Sequence, residues 1–170
     1  MAKLSKKLFD ALNEQIEKEI SSAYLYLSMS TYCDSQNLKG SAQWLRMQWD
    51  EELTHAMKIL DYIGDRGNRA LLQAVGEPGS DFKSLLDVFE KVLEHEQKVS
   101  EMINNLYGMA VAEKDFAAQA FLHWFVSEQV EEESTASEIV ENLRMAGDKG
   151  SALLMIDRQL GSRSNEDSGE

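Results

Sequence analysis

Residues 45–60 read LRMQWDEELTHAMKIL, and the spacing of their apolar side chains decides the fold. Leu45, Trp49, Ala56 and Ile59 recur at helical steps on one stripe, which predicts an amphipathic helix with that stripe turned to a core. Glu52 stands inside the stripe, seven positions after Leu45, three after Trp49 and seven before Ile59. His55 follows at the i, i+3 step and shares the face. A carboxylate and an imidazole are thus aimed at the interior from the middle of a long helix.

The same periodicity extends outward in both directions. A first helix is expected over about 5–33, with Leu8, Leu12, Ile16, Ala23, Tyr26 and Met29 on its stripe. A turn at 37–40 leads into the helix that contains the quoted stretch, expected over about 41–63. A third helix begins near 80–84, where Ser84 and Asp87 resemble a capping box, and carries Val88, Val92, Val99, Ile103 and Leu106. After a turn at 111–115 a fourth runs to about 145, and 151–160 reads as a short fifth. Residues 64–81, closing on Glu77-Pro78-Gly79-Ser80, are the longest irregular stretch and suit a crossover between parallel helices. Pro78 is the only proline, so the long helices have nothing to break them. Four helices of roughly 25–30 residues, about 40 Å each, joined short, long, short, predict an all-α four-helix bundle with one long crossover and a short fifth C-terminal helix. Residues 1–161 are expected to form one domain, and 162–170 a polar, acidic, disordered tail.

Charged groups interrupt the other three stripes at the same level. Glu19 lies three positions after Ile16 and four before Ala23. Glu96 lies three after Leu93 and three before Val99. Gln129 and Glu132 share the fourth stripe with Leu122, Phe125, Ala136 and Ile139. An isolated buried carboxylate would take up a proton, and several together repel one another. A pair of divalent cations removes both difficulties, and carboxylates with an imidazole suit iron or manganese. Glu52-x-x-His55 has the form of the metal-binding pairs in di-iron helix bundles. Glu52 follows Glu19 by 33 positions (52 − 19), and Gln129 follows Glu96 by 33 (129 − 96). Two matching hairpins with one site between them follow from that equality.

Composition narrows the partners. With 30 acidic against 17 basic residues the formal net charge is −13, which argues against nucleic acid. The same charge suits attraction of cations or simply a solubilising surface. The single cysteine, Cys33, permits no internal disulfide and no Cys-based zinc or iron–sulfur site, and reads as a small core residue. No apolar run is long enough for a bilayer and the start does not read as a signal peptide, so no membrane partner is expected and the location expected is cytoplasmic.

Asn13-Glu14-Gln15, Glu19, Ser22-Ala23-Tyr24-Leu25-Tyr26, Glu51-Glu52-Leu53-Thr54-His55-Ala56 and Trp124-Phe125-Val126-Ser127-Glu128-Gln129-Val130-Glu131-Glu132-Glu133 resemble the prokaryotic non-haem ferritins. The resemblance spans about 4–160. It implies a cytoplasmic iron-storage ferroxidase, an oxidoreductase of iron homeostasis that assembles into a homo-oligomeric cage of 24 subunits and oxidises Fe(II) with dioxygen or hydrogen peroxide. By resemblance, Glu19, Glu52 and His55 hold the first iron, and Glu52 bridges to a second that Glu96, Gln129 and Glu132 bind or approach. Glu51, Glu128 and Glu131 match a third, transit-type iron site, although on the residues alone they read as a solvated acidic face. Tyr26 matches the tyrosine near the first iron, which supplies an electron or a hydrogen bond; read plainly, it is a core aromatic with a partnered hydroxyl.

The departures also inform. Bacterioferritins carry a second Glu-x-x-His on the fourth helix, where this chain reads Gln129-Val130-Glu131-Glu132, and a haem-ligating methionine where it has Leu53, so haem is not expected. Gln119 and Leu122 fall where animal ferritins line their threefold channels with acids. His95 and His123 match no ligand. A rubrerythrin-like enzyme would show a second histidine ligand or a cysteine-rich module, and the fifth helix argues against a twelve-subunit mini-ferritin.

Overall fold

The computed structural model describes residues 3–163, which form five helices and no strand. These are α1 (Lys6–Ser35), α2 (Lys39–Asp65), α3 (Leu85–Ala112), α4 (Phe116–Ala146) and α5 (Gly150–Gly161). Serine caps start α1 and α3: Ser5 accepts from the Leu8 N–H, and Ser84 from the Asp87 N–H. The Asp87 carboxylate completes only a shifted capping box, accepting from the Lys83 N–H rather than from that of Ser84. The turn expected at 37–40 is shorter than the sequence suggests, because α2 already begins at Lys39 and Asn37 alone takes the left-handed conformation, with φ 65°.

Short connections pair α1 with α2 and α3 with α4 as antiparallel hairpins. The crossover, 66–84, runs back along α1. The Leu71 N–H donates to Asn13 Oδ1 at 2.6 Å near the start of α1, and Ser28 Oγ donates to the Gly79 carbonyl at 2.7 Å further along it. The third helix therefore starts at the end of the bundle where α2 starts, and runs parallel to it. Among the described residues no helix is long and apolar enough to cross a membrane.

Apolar packing is split into two blocks. Leu8, Leu12, Ile16, Ile59, Ile63, Val99, Ile103, Leu122 and Phe125 fill one end. Tyr26, Met29, Cys33, Leu45, Val88, Phe89, Val140 and Leu143 fill the other. Between them lies a belt of buried polar side chains: Glu19, Glu52, His55, Glu96, Gln129 and Glu132.

The fifth helix turns off α4 at Gly147, φ 55°, and crosses the start of α2. No side chain of its own loop caps α2. Asp157 of α5 does so instead, accepting from the Gly40 N–H at 3.1 Å, the Ser41 N–H at 2.7 Å and Ser41 Oγ at 2.7 Å. Those N–H groups are among the four that a helix start leaves without partners, and a carboxylate also suits the positive end of the helix dipole. The crossing requires glycine on both sides. A Cβ on Gly40 would stand 1.8 Å from the Asp157 carbonyl oxygen, and one on Gly161 would stand 2.8 Å from Gly40 Cα.

Of the tail expected over 162–170, the first two residues are ordered against the bundle. Ser162 is the C-cap of α5 and Arg163 packs against α2, while 164–170 lie outside the described residues.

Candidate metal centre

Glu19 projects from α1 and Glu52 and His55 from α2 into the belt, all at most 5% exposed. Their ligand atoms lie within 4.8 Å of one another, and among the described residues they are the one group of three or more acidic, His or Cys side chains so placed. His55 Nδ1 stands 3.6 Å from Glu52 Oε2. The imidazole packs nearly perpendicular to the rings of Trp124 and Phe125, with centroids 5.4 Å and 5.9 Å away. Gln15 Nε2 donates to Glu19 Oε1 at 2.8 Å, one turn earlier on α1. Glu19 Oε2 and Glu52 Oε2 are buried with no N–H or O–H donor at hydrogen-bond distance, and the two carboxyls stand close enough to share a proton. Two unpartnered carboxylate oxygens beside an imidazole nitrogen form a hard, anionic donor set that fits a divalent cation.

Electrostatics tell the same story. Burial first, and then the nearby Glu52 charge, push the Glu19 carboxyl well above its ordinary range. Burial and then the Glu96 charge do the same to Glu52. Each carboxyl therefore tends to keep a proton unless a cation replaces it.

The other half of the belt is built from α3 and α4. Tyr26 Oη donates to Glu96 Oε1 across the core, and Gln129 Nε2 donates to Glu96 Oε2 at 3.1 Å. Both oxygens of Glu96 are thus engaged, and burial still raises its pKa. Gln129 Nε2 also reaches Ser100 Oγ at 3.3 Å. Gln48 Nε2 donates to Glu132 Oε2 at 3.0 Å. The Glu132 carboxyl is pushed up to about 8, by burial and then by the charges of Glu96 and Glu51. Tyr26 is raised well above its usual range by burial and then by Glu96, so it stays a protonated donor.

A family model for the ferritin-like domain matches residues 9–146. The chain belongs to the ferritin family. The bacterial non-heme ferritin of Bacteroides fragilis strain 638R is 46% identical over 160 residues, covering 94% of this chain and 99% of that one. That of Staphylococcus saprophyticus is 40% identical over 165 residues, covering 97% and 99%. An open-pore ferritin from the hyperthermophilic archaeon Archaeoglobus fulgidus superposes with a TM-score of 0.94 at 53% identity, covering 95% of this chain and 99% of that one.

In this ferritin the three glutamates singled out beside the belt do not close into a compact set. Glu51 and Glu128 are half-buried and Glu131 is exposed. Burial raises Glu128, with the charges of Glu131 and Glu51 adding to it and His55 opposing it. Glu51 itself is paired with Arg163, Nη2 lying 2.9 Å from Oε1 and 3.1 Å from Oε2.

Gln15 and Gln48 were not expected in the belt. A signal for them exists: each precedes a belt glutamate by four positions, and they are 33 apart (48 − 15), repeating the hairpin spacing. His95 is part of the packing, its Nε2 2.7 Å from Ser22 Oγ and its ring edge-on to Tyr26 at 5.9 Å. Burial lowers its pKa to about 4, so it is neutral at ordinary pH. His123 is exposed.

Proposed function

We propose that this ferritin stores iron. On this reading it oxidises Fe(II) to Fe(III) at a two-iron ferroxidase centre within each subunit and deposits the ferric mineral inside a 24-subunit cage in the cytoplasm. The observation that carries the proposal is the pair of unpartnered buried oxygens, Glu19 Oε2 and Glu52 Oε2, beside His55 in a belt of six polar side chains.

Iron is the substrate. Glu19, Glu52 and His55 take the first Fe(II), with Glu52 shared towards a second position formed by Glu96, Gln129 and Glu132. Protons that burial holds on the carboxyls leave as Fe(II) enters. Anionic oxygens favour Fe(III) over Fe(II), because a hard carboxylate gains more from the higher charge. Two Fe(II) release two electrons together, enough to take dioxygen to peroxide, or hydrogen peroxide to water. Tyr26, bonded to Glu96, orients that carboxylate and can supply a proton or an electron. A neutral amide at Gln129 makes the second position weaker than a histidine or carboxylate would, so ferric iron moves on to the cavity. Equal retention of both irons after turnover would undo this last step. The outer glutamates, Glu51, Glu128 and Glu131, form a third position on the route, and haem has no part in the scheme.

Assembly is supported by apolar surface on separate sides of the subunit. Tyr24, Leu71, Leu72 and Val75 are exposed along α1 and the crossover, Phe116 at the start of α4, and Met145 and Met155 near α5. The test adds Fe(II) in air to the metal-free protein, following ferric absorbance and particle size together. Fast oxidation by a particle of cage size is expected. Oxidation no faster than in buffer, or a particle of monomer size, would sink the reading.

A further inference from the structure

Arg163 is the residue that the belt, its neighbours and the expected tail leave unexplained. It follows α5 by two positions and lies along one face of α2. Trp44, Gln48 and Glu51 stand on that face at steps of four and three, and the guanidinium reaches all three. Its carbon sits 5.3 Å from the Trp44 ring centroid, Nη1 donates to Gln48 Oε1, and Nη2 forks onto both oxygens of Glu51. The paired side chains are only 17% and 19% exposed, so water screens them less than it would a surface pair. A positive group is therefore seated where the acidic face meets the belt, on a carboxylate that the proposed third iron position needs.

We propose that Arg163 is a tethered cation that competes with a divalent metal ion for Glu51, so that loading the outer acidic position releases the end of α5. The proposal rests on the reading of Glu51, Glu128 and Glu131 as a metal position. Glu51 cannot offer both oxygens to the guanidinium and also turn to a metal shared with Glu128 and Glu131. The exchange is one cation for another on the same carboxylate, which keeps the half-buried Glu51 neutralised at each stage. It also reaches the belt. Arg163 donates to Gln48 Oε1, which fixes that amide with its nitrogen towards Glu132. Departure of Arg163 frees the amide to rotate and loosens Glu132, so filling the outer position alters the second core position.

The test uses the assembled full-length protein and Zn(II), which cannot be oxidised. Calorimetric titration of wild type, Arg163→Gln, Glu51→Gln and the double variant identifies the class of site that needs Glu51. That class should bind about threefold to tenfold more tightly in Arg163→Gln than in wild type, and the gain should vanish when Glu51 is also changed. Hydrogen exchange read by mass spectrometry supplies the second readout. The Ser162 and Arg163 amides, bonded to the carbonyls of Gln159 and Leu160, should exchange about threefold faster once that class is filled in wild type. In Arg163→Gln they should be fast from the outset. Tighter binding without faster exchange would mean that Arg163 acts through its field alone, and would overturn the displacement. A Glu51-dependent class unchanged by Arg163→Gln would overturn it too, leaving the outer metal position standing. Loss of no class in Glu51→Gln would remove that position and the proposal together.

Discussion

Replacing Glu132 by glutamine in chelator-treated protein should stabilise it, and the gain should depend on pH in a defined direction. Glu132 is 8% exposed, and its carboxyl is held up to about 8 against an ordinary value of 4.5. Between those values the folded chain keeps a proton that the unfolded chain has released. A raised carboxyl pKa therefore leaves stability intact below about 4.5 and removes it as pH climbs towards about 8. At about 1.4 kcal/mol per pH unit, the deficit at pH 7 is about 3 kcal/mol. Glutamine keeps the size and can still accept from Gln48 Nε2, now 3.0 Å from Glu132 Oε2, but it does not titrate. Glu132→Gln should thus lead wild type by about 3 kcal/mol, or roughly 6–12 °C in thermal midpoint, at pH 7. The lead should shrink towards zero near pH 4.5. Thermal unfolding from pH 4.5 to 8, with assembly state monitored alongside, measures it. A lead that is constant with pH, or that grows on the acid side, would refute the reasoning.

Other outcomes follow from the same geometry. Glu52→Ala or His55→Ala should slow the initial rise of ferric absorbance by at least about tenfold, since each removes a donor from a three-donor set; a rate within a factor of two of wild type would count against the centre. Zn(II) binding should release protons and tighten as pH rises from 5 to 8, because burial keeps Glu19 and Glu52 protonated. Calorimetry in buffers of different ionisation enthalpy reads that release directly, and heats independent of buffer would contradict it. Asp157→Ala should cost about 1–2 kcal/mol and speed hydrogen exchange in α5, by stripping α2 of its cap. Gly40→Ala should detach α5 more thoroughly, given the 1.8 Å approach to the Asp157 carbonyl oxygen. Tyr26→Phe should cost about 1–3 kcal/mol by leaving Glu96 Oε1 without its donor, as urea unfolding would report.

The bundle was legible because its information is local. Stripes at three- and four-residue steps set the helices, and the acids that break those stripes set the level of the belt. Glu19, Glu52 and His55 converge because two helical registers, each readable alone, meet in one hairpin. Arg163 and Asp157 were not legible. Their partners lie 112 and 116 positions away, reached only because α5 folds back over α2, and no periodic pattern announces such a contact. Glu51, Glu128 and Glu131 show the opposite case. Their adjacency to belt residues is plain in the sequence, but adjacency on a helix places them about 100° around from the core. Whether side chains so placed meet one another or an arginine depends on what packs outside.

The belt between the two apolar blocks also governs alignment. Uniform apolar seams would let one helix slide past its neighbours by a turn, about 5.4 Å, trading one set of contacts for a similar one. Here a slip of α1 by one turn would carry Glu19 into the level of Ile16 or Ala23, burying a carboxyl among hydrocarbon and leaving a void in the belt. Slips of α2, α3 or α4 meet the same obstacle at Glu52, Glu96 and Gln129. The groups that weaken the interior in one sense thus remove its near-degenerate alternatives in another, as a single buried asparagine does for the register of a coiled coil. The side chains read as ligands are also the marks by which four helices find the same height.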